Sequence, residues 1–200
     1  METLPLRNTA RVLRVLVLIT LAVTGAVMLM VPGLTVLLAD GGPATATAAI
    51  MALLSPGGAE SLGLKQPLMF FLQCYLHTWE RPYSAMLTLF YWICGTCCGV
   101  ILWQAKGVLD NLLRGLPFCR SNGAHLARAA ISCWVISGCA VARAIFWFRI
   151  EGDLSPLFTY NTLFIPGFFM AGLLFQVMAA LFRQAAGLKD GYRLIINQGK

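Results

Sequence analysis

The sequence predicts an all-α integral membrane protein of four transmembrane helices, with both termini inside and a long outer loop between helices one and two. Three observations predict it. The first is composition: apolar residues are 58% of the 200-residue chain and charged residues 12%, against about 45–50% and about 25% in soluble domains. A chain this short has too little interior to hide so much apolar surface from water. Disorder is excluded by the same figures, and 7 Cys and 19 Gly without a triplet period exclude a disulfide-stapled or collagen-like chain. The second is the presence of four apolar runs, each of a length to cross a ~30 Å hydrocarbon layer at ~1.5 Å per residue. The third is how the charges sort between those runs.

The first run, about 15–39, holds no charge before Asp40 and is broken only by Thr20, Thr24, Pro32, Gly33 and Thr35. Pro32-Gly33 predicts a kink or a break at its outer end. Arg7, Arg11 and Arg14 before it, and Ala44-Thr45-Ala46 after it, also suit a cleaved signal peptide. A signal's apolar region is about 7–15 residues, and this run is about twice that, so an uncleaved anchor is expected. The outer loop, 40–84, is Gly/Ala/Thr/Pro-rich in its first half. Its second half holds Leu68 to Trp79, too short to span and ending in interface-seeking aromatics, so it is expected to lie on or dip into the outer leaflet. Helix two is expected at about 85–105, helix three at 126–148 and helix four at 163–182. A loop, 106–125, joins helices two and three. The tail, 183–200, extends helix four and changes at Gly191 to a β-prone Leu194-Ile195-Ile196, either an edge for strand pairing or a segment folded back on the loop. Residues 1–200 read as a single membrane domain.

Charge sets the orientation. The N-terminus, the 106–125 loop with the start of helix three, and the tail hold 11 basic residues, whereas the other side holds Lys65, Arg81, Arg143 and Arg149. Acidic residues sort the opposite way: Asp40, Glu60, Glu80, Glu151 and Asp153 against Glu2, Asp110 and Asp190. The positive-inside rule places both termini and the middle loop in the cytoplasm.

Within the spans, Gly95 and Gly99 form a Gly-x-x-x-Gly pair that predicts close helix contact, and Gly138 and Gly167 are expected to pack on helices three and four. Cys94, Cys97 and Cys98 share one side of helix two. They read first as small buried hydrophobes, like Cys133 and Cys139, and second as a soft-metal or thiol site. Arg143 is an intramembrane charge, expected to snorkel toward Glu151 and Asp153, and otherwise a functional group. His77 and His125 are isolated, and Cys74 with His77 is too small a ligand set for zinc. No Gly-rich phosphate loop, Ser/His/Asp set or carboxylate pair is present, so no catalytic residue, metal or cofactor is expected.

The most patterned stretch is Leu112 to Arg128. Gly115 is expected to end helix two, Pro117 to prevent its continuation, and Ser121 or Asn122 to cap helix three. Arg114, Pro117, Phe118, Arg120, Asn122 and Arg128, with Arg193 of the tail, form a candidate partner-binding face. The alternative is a capped hairpin whose arginines meet anionic headgroups.

The pattern Leu-Arg-x-Gly-x-Pro-Phe-x-x-x-Asn, from Leu113 to Asn122, resembles the hallmark of the domain-of-unknown-function 2975 family, small four-span proteins of the bacterial inner membrane. The tail is similar too, except that Arg193-Leu194-Ile195 replaces the family's usual Asp-Leu-Thr, and the outer loop looks longer than usual. Members are often encoded beside a small Cro/C1-type helix-turn-helix regulator. The resemblance therefore implies a multi-pass inner-membrane protein with a DNA-binding regulator as cytoplasmic partner.

The expected function is thus non-enzymatic docking or sequestration of a cytoplasmic partner, with the lipid bilayer as the other partner and no direct contact with nucleic acid. Two alternatives are a transporter or transporter subunit, for which Pro32-Gly33 and Pro166-Gly167 would be matched helix breaks, and a membrane thiol or metal protein using Cys94, Cys97 and Cys98. The sequence sets no oligomeric state.

Overall fold

The computed structural model describes residues 3–54, 72, 75–80, 82–116, 118–151 and 162–198. Side chains are described throughout these ranges except at 3–7, 37–54, 83, 150, 151, 162, 189, 190 and 192–198. Four long helices account for most of them: α1 (Thr3–Leu54), α2 (Pro82–Leu113), α3 (Arg120–Glu151) and α4 (Thr162–Gln198). Each contains a stretch long and apolar enough to cross a membrane, at Asn8–Val36, Ser84–Leu113, Arg120–Arg149 and Leu163–Leu188. No strand occurs among the described residues.

The helices outrun the expected spans, and three expectations are corrected. Of the kink or break expected at Pro32-Gly33, the break is not formed, since α1 runs on to Leu54, 52 residues in all. The outer loop expected from Asp40 therefore begins as helix, to Leu54. The tail is helical through Gly191 to Gln198, where a strand was expected. The physical reason is cooperativity. Each added helical residue gains a backbone hydrogen bond, whereas Gly187 and Gly191 each cost only about 1 kcal/mol against Ala. Pro32 removes a single bond, and its orphaned acceptor finds another donor. Of the expected outer-leaflet helix, Tyr75–Thr78 forms a helical turn closed by Trp79 N–H to Leu76 O and Glu80 N–H to His77 O, both 3.3 Å. Residues 68–71 lie outside the described set.

The chain packs as two compact units. The first comprises residues 1–24 and 94–200. In it α3 and α4 pack along each other, around Ala129, Ala130, Cys133, Ile136 and Ala140 of α3 and Ala179 and Ala186 of α4. Ser137 Oγ donates to Ile165 O across this contact at 3.1 Å. Gly172 lies under the indole of Trp134, where even a Cβ would collide with Nε1 and Cδ1. Gly123 faces Ala179 O at 3.0 Å and Arg183 Cγ at 2.8 Å from the position of an added Cβ. Gly107 of α2 has the His125 ring at 2.9–3.1 Å.

The second unit is Gly25–Ile93. It holds later residues of α1, the turn before α2 and the start of α2. Pro32, Thr35, Thr78, Ser84 and Thr88 are fully buried in it. Thr35 and Thr88 share a hydrogen bond of 2.7 Å. Ser84 Oγ is buried with no hydrogen-bond partner among the described residues.

Candidate functional site

The candidate site lies in the first unit, where α2 ends and α3 begins. Gly115 ends α2 in the left-handed conformation, with φ 74°. Gly115 N–H donates to Leu112 O and Leu116 N–H to Asn111 O, both at 3.0 Å. These are the two bonds of a Schellman cap, and the position needs a residue without Cβ strain. After the turn α3 starts at Arg120, with Asn122 N–H donating to Cys119 O at 3.0 Å.

Beneath the turn, the end of α2 is tied to its neighbours by polar pairs. Gln104, Gly107 and Asn111 recur at i, i+3 and i+7, one stripe of α2. Gln104 Oε1 pairs with His125 Nδ1 at 2.5 Å, so that nitrogen carries the hydrogen. Asn111 Nδ2 donates to Asn122 Oδ1 at 2.7 Å. On α1, Arg14 Nε lies 2.8 Å from Asp110 Oδ1. Its N–H is not aligned for a hydrogen bond, so the contact is an ion pair. With both partners part-exposed, such a pair contributes about 0–1 kcal/mol. Its larger effect is on the charge pattern, because it neutralises the basic residue nearest Asp110.

Above this base stand groups without such partners. Arg114, Arg120 and Arg128 are exposed, and no described carboxylate lies within ion-pair reach of them. Between the first two, Leu116 is 48% and Phe118 54% exposed. Phe118 lies against Phe182 of α4, the rings tilted by 34° with centroids 6.1 Å apart. Lys106 covers the Trp103 ring at 4.6 Å, a cation–π contact on the side of α2. The turn thus presents Leu116 and Phe118 between Arg114 and Arg120, with Arg128 exposed about two turns further along α3.

The expected site residues separate accordingly. Arg114, Phe118, Arg120 and Arg128 come together at this turn and its flanks. Asn122 does not belong to the face: it is buried at 1% exposure. Nor does it cap α3, because it lies inside the helix and its amide is committed to Asn111. Pro117 and the Arg193 side chain lie outside the described residues. The polar pairs through Gln104, Asn111 and Asp110 were missed. Their signal was present in the sequence as polar residues at helical spacing at the end of helix two and along its extension to Gly115, but nothing within one helix names the partners.

Of the packing glycines, Gly138 and Gly167 are corrected: among the described residues an added Cβ would meet nothing within 4 Å at either. At Gly99 an added Cβ would stand 3.9 Å from Leu21 of α1, an ordinary contact with another helix, and Gly95 is part-buried. The close contacts fall at Gly107, Gly123 and Gly172 instead, each opposite one large side chain. Arg143 is part-buried and engaged within the protein; its expected partners Glu151 and Asp153 lie outside the described side chains. Cys94 and Cys133 are buried, Cys97, Cys98, Cys119 and Cys139 part-buried, and all six are free thiols. Among the described residues no group of His, Cys, Asp or Glu is placed to hold a metal ion. Helix α4 continues through Pro166 as α1 does through Pro32, so the matched breaks expected of a transporter are not formed.

Four apolar helices with short polar caps define a multi-pass membrane protein. The chain belongs to the family described as protein of unknown function DUF2975, which matches residues 64–196, two-thirds of its length. No curated protein and no solved structure matches it.

Proposed function

We propose that this chain is a non-enzymatic protein of the bacterial inner membrane that docks a cytoplasmic partner on the turn between α2 and α3. The observation that carries the proposal is the exposed pair Leu116 and Phe118 with Arg114, Arg120 and Arg128, which have no carboxylate within ion-pair reach among the described residues. Aromatic and arginine side chains are the groups that anchor protein interfaces. A carboxylate-bearing surface is the complement, and an arginine fork recognises a carboxylate bidentately. The family resemblance points to a small helix-turn-helix regulator as that partner. Holding it at the membrane would withdraw it from its operator by mass action.

The test is a triple Arg114→Lys, Arg120→Lys, Arg128→Lys variant in lipid nanodiscs, titrated with a purified small Cro/C1-type helix-turn-helix regulator. Lysine keeps the charge and removes the fork. At about 1 kcal/mol per lost bidentate contact, affinity falls by about 100-fold. Unchanged affinity would contradict docking through these arginines and leave the turn as a headgroup-facing hairpin.

A further inference from the structure

Pro32 lies in the interior of α1. Proline has no amide hydrogen, so the Met28 carbonyl, four residues earlier, receives no donor from its own helix. In a membrane no water is at hand to replace it, and another protein group must. Trp92 of α2 does so: its Nε1–H donates to Met28 O at 3.1 Å. The Pro32 carbonyl, one turn on, accepts from Thr35 Oγ1 and from Thr78 Oγ1, each at 2.9 Å. Thr35 has one hydroxyl hydrogen, given to Pro32, so Thr88 is the donor in the Thr35–Thr88 pair. Trp79, next to Thr78, sets its ring edge-on to Trp92 with centroids 6.5 Å apart.

Three donors from outside α1's backbone thus converge on two carbonyls of one stripe of α1, at its weakest point. That point lacks a backbone bond at Pro32 and a side chain at Gly33. Two of the donors come from other segments: Trp92 from α2, and Thr78 from the turn before it. We propose that Pro32-Gly33 is a hinge in α1 held closed by a latch, in which Trp92 and Thr78 donate to the Met28 and Pro32 carbonyls. When the latch opens, α1 from Pro32 on moves away from Thr78 and, through Thr35, from Thr88. The latch bonds join neutral groups, so opening responds to competition for the two carbonyls by water or another donor.

The test is hydrogen–deuterium exchange on the full chain in nanodiscs, read on α1 peptides covering 33–40 and 8–24. Trp92→Phe keeps the ring and removes the donor. Exchange at 33–40 should rise about fivefold, the population change for one lost hydrogen bond, while 8–24 stays as in the wild type. Pro32→Ala restores the backbone donor to Met28 and removes the hinge. In that background Trp92→Phe should leave exchange at 33–40 unchanged. Thr78→Val gives a second route to opening, with the same rise and the same suppression by Pro32→Ala, should Trp92→Phe fail to fold. An equal rise with and without Pro32, or no rise with either variant, would overturn the latch.

Discussion

Asn122 and Phe118 stand four residues apart in the same turn, and the fold puts them to opposite uses. Phe118 is more than half exposed while Asn122 is buried against Asn111. Sequence alone marked both, because both belong to one motif; it does not tell a side chain that faces a partner from one that holds the motif in shape. Only the helical phase does, and that depends on where α3 starts. Asn122→Ala leaves the part-buried Asn111 Nδ2 without its acceptor, so thermal stability in detergent should fall by about 1 kcal/mol. The double variant with Asn111→Ala should cost less than the sum of the singles. Ser84 gives the converse case. Its hydroxyl is buried and, among the described residues, unpartnered, so Ser84→Ala should be neutral or stabilising, by up to about 1 kcal/mol. A clear loss of stability would show that Ser84 has a partner. Gly115, by contrast, was legible outright, since a left-handed helix end followed by proline at 117 suits glycine.

At the scale of elements, the four spans were legible because twenty apolar residues in a row have few other uses. Apart from the Gly115 end of α2, their ends were not. Helix α1 runs 52 residues, about 78 Å at ~1.5 Å per residue, more than twice the hydrocarbon layer. Polarity marks where a helix leaves lipid; it does not mark where the helix stops. Some helix–helix contacts were misread from spacing. Small-residue spacing suggested close approach at Gly138 and Gly167, yet among the described residues the tight glycines are Gly107, Gly123 and Gly172, matched to His125, Arg183 and Trp134. No spacing rule within one helix reveals a partner on another. Gly172→Leu should therefore destabilise the protein by about 1–3 kcal/mol through overpacking against Trp134. Gly138→Leu, facing open space, should change thermal stability little. Equal effects at the two sites would contradict the α3–α4 contact.

For the whole molecule, the distribution of charge says more than its total. A net +7 over 200 residues would suit many proteins, but the sorting of 11 basic residues to one side of the spans and four to the other suits one orientation. The fold adds that Arg14 is paired with Asp110, whereas Arg114, Arg120 and Arg128 stand exposed at the turn and its flanks. Whether that turn meets a cytoplasmic partner rests on the side it faces. The most direct measurement is labelling of single cysteines by a membrane-impermeant maleimide, with the native cysteines replaced, using Lys65→Cys and Arg120→Cys in intact and permeabilised cells. The proposed orientation predicts that Lys65→Cys labels in intact cells and Arg120→Cys only after permeabilisation. Labelling of Arg120→Cys in intact cells, with Lys65→Cys protected, would contradict it and remove the basis for a cytoplasmic docking face.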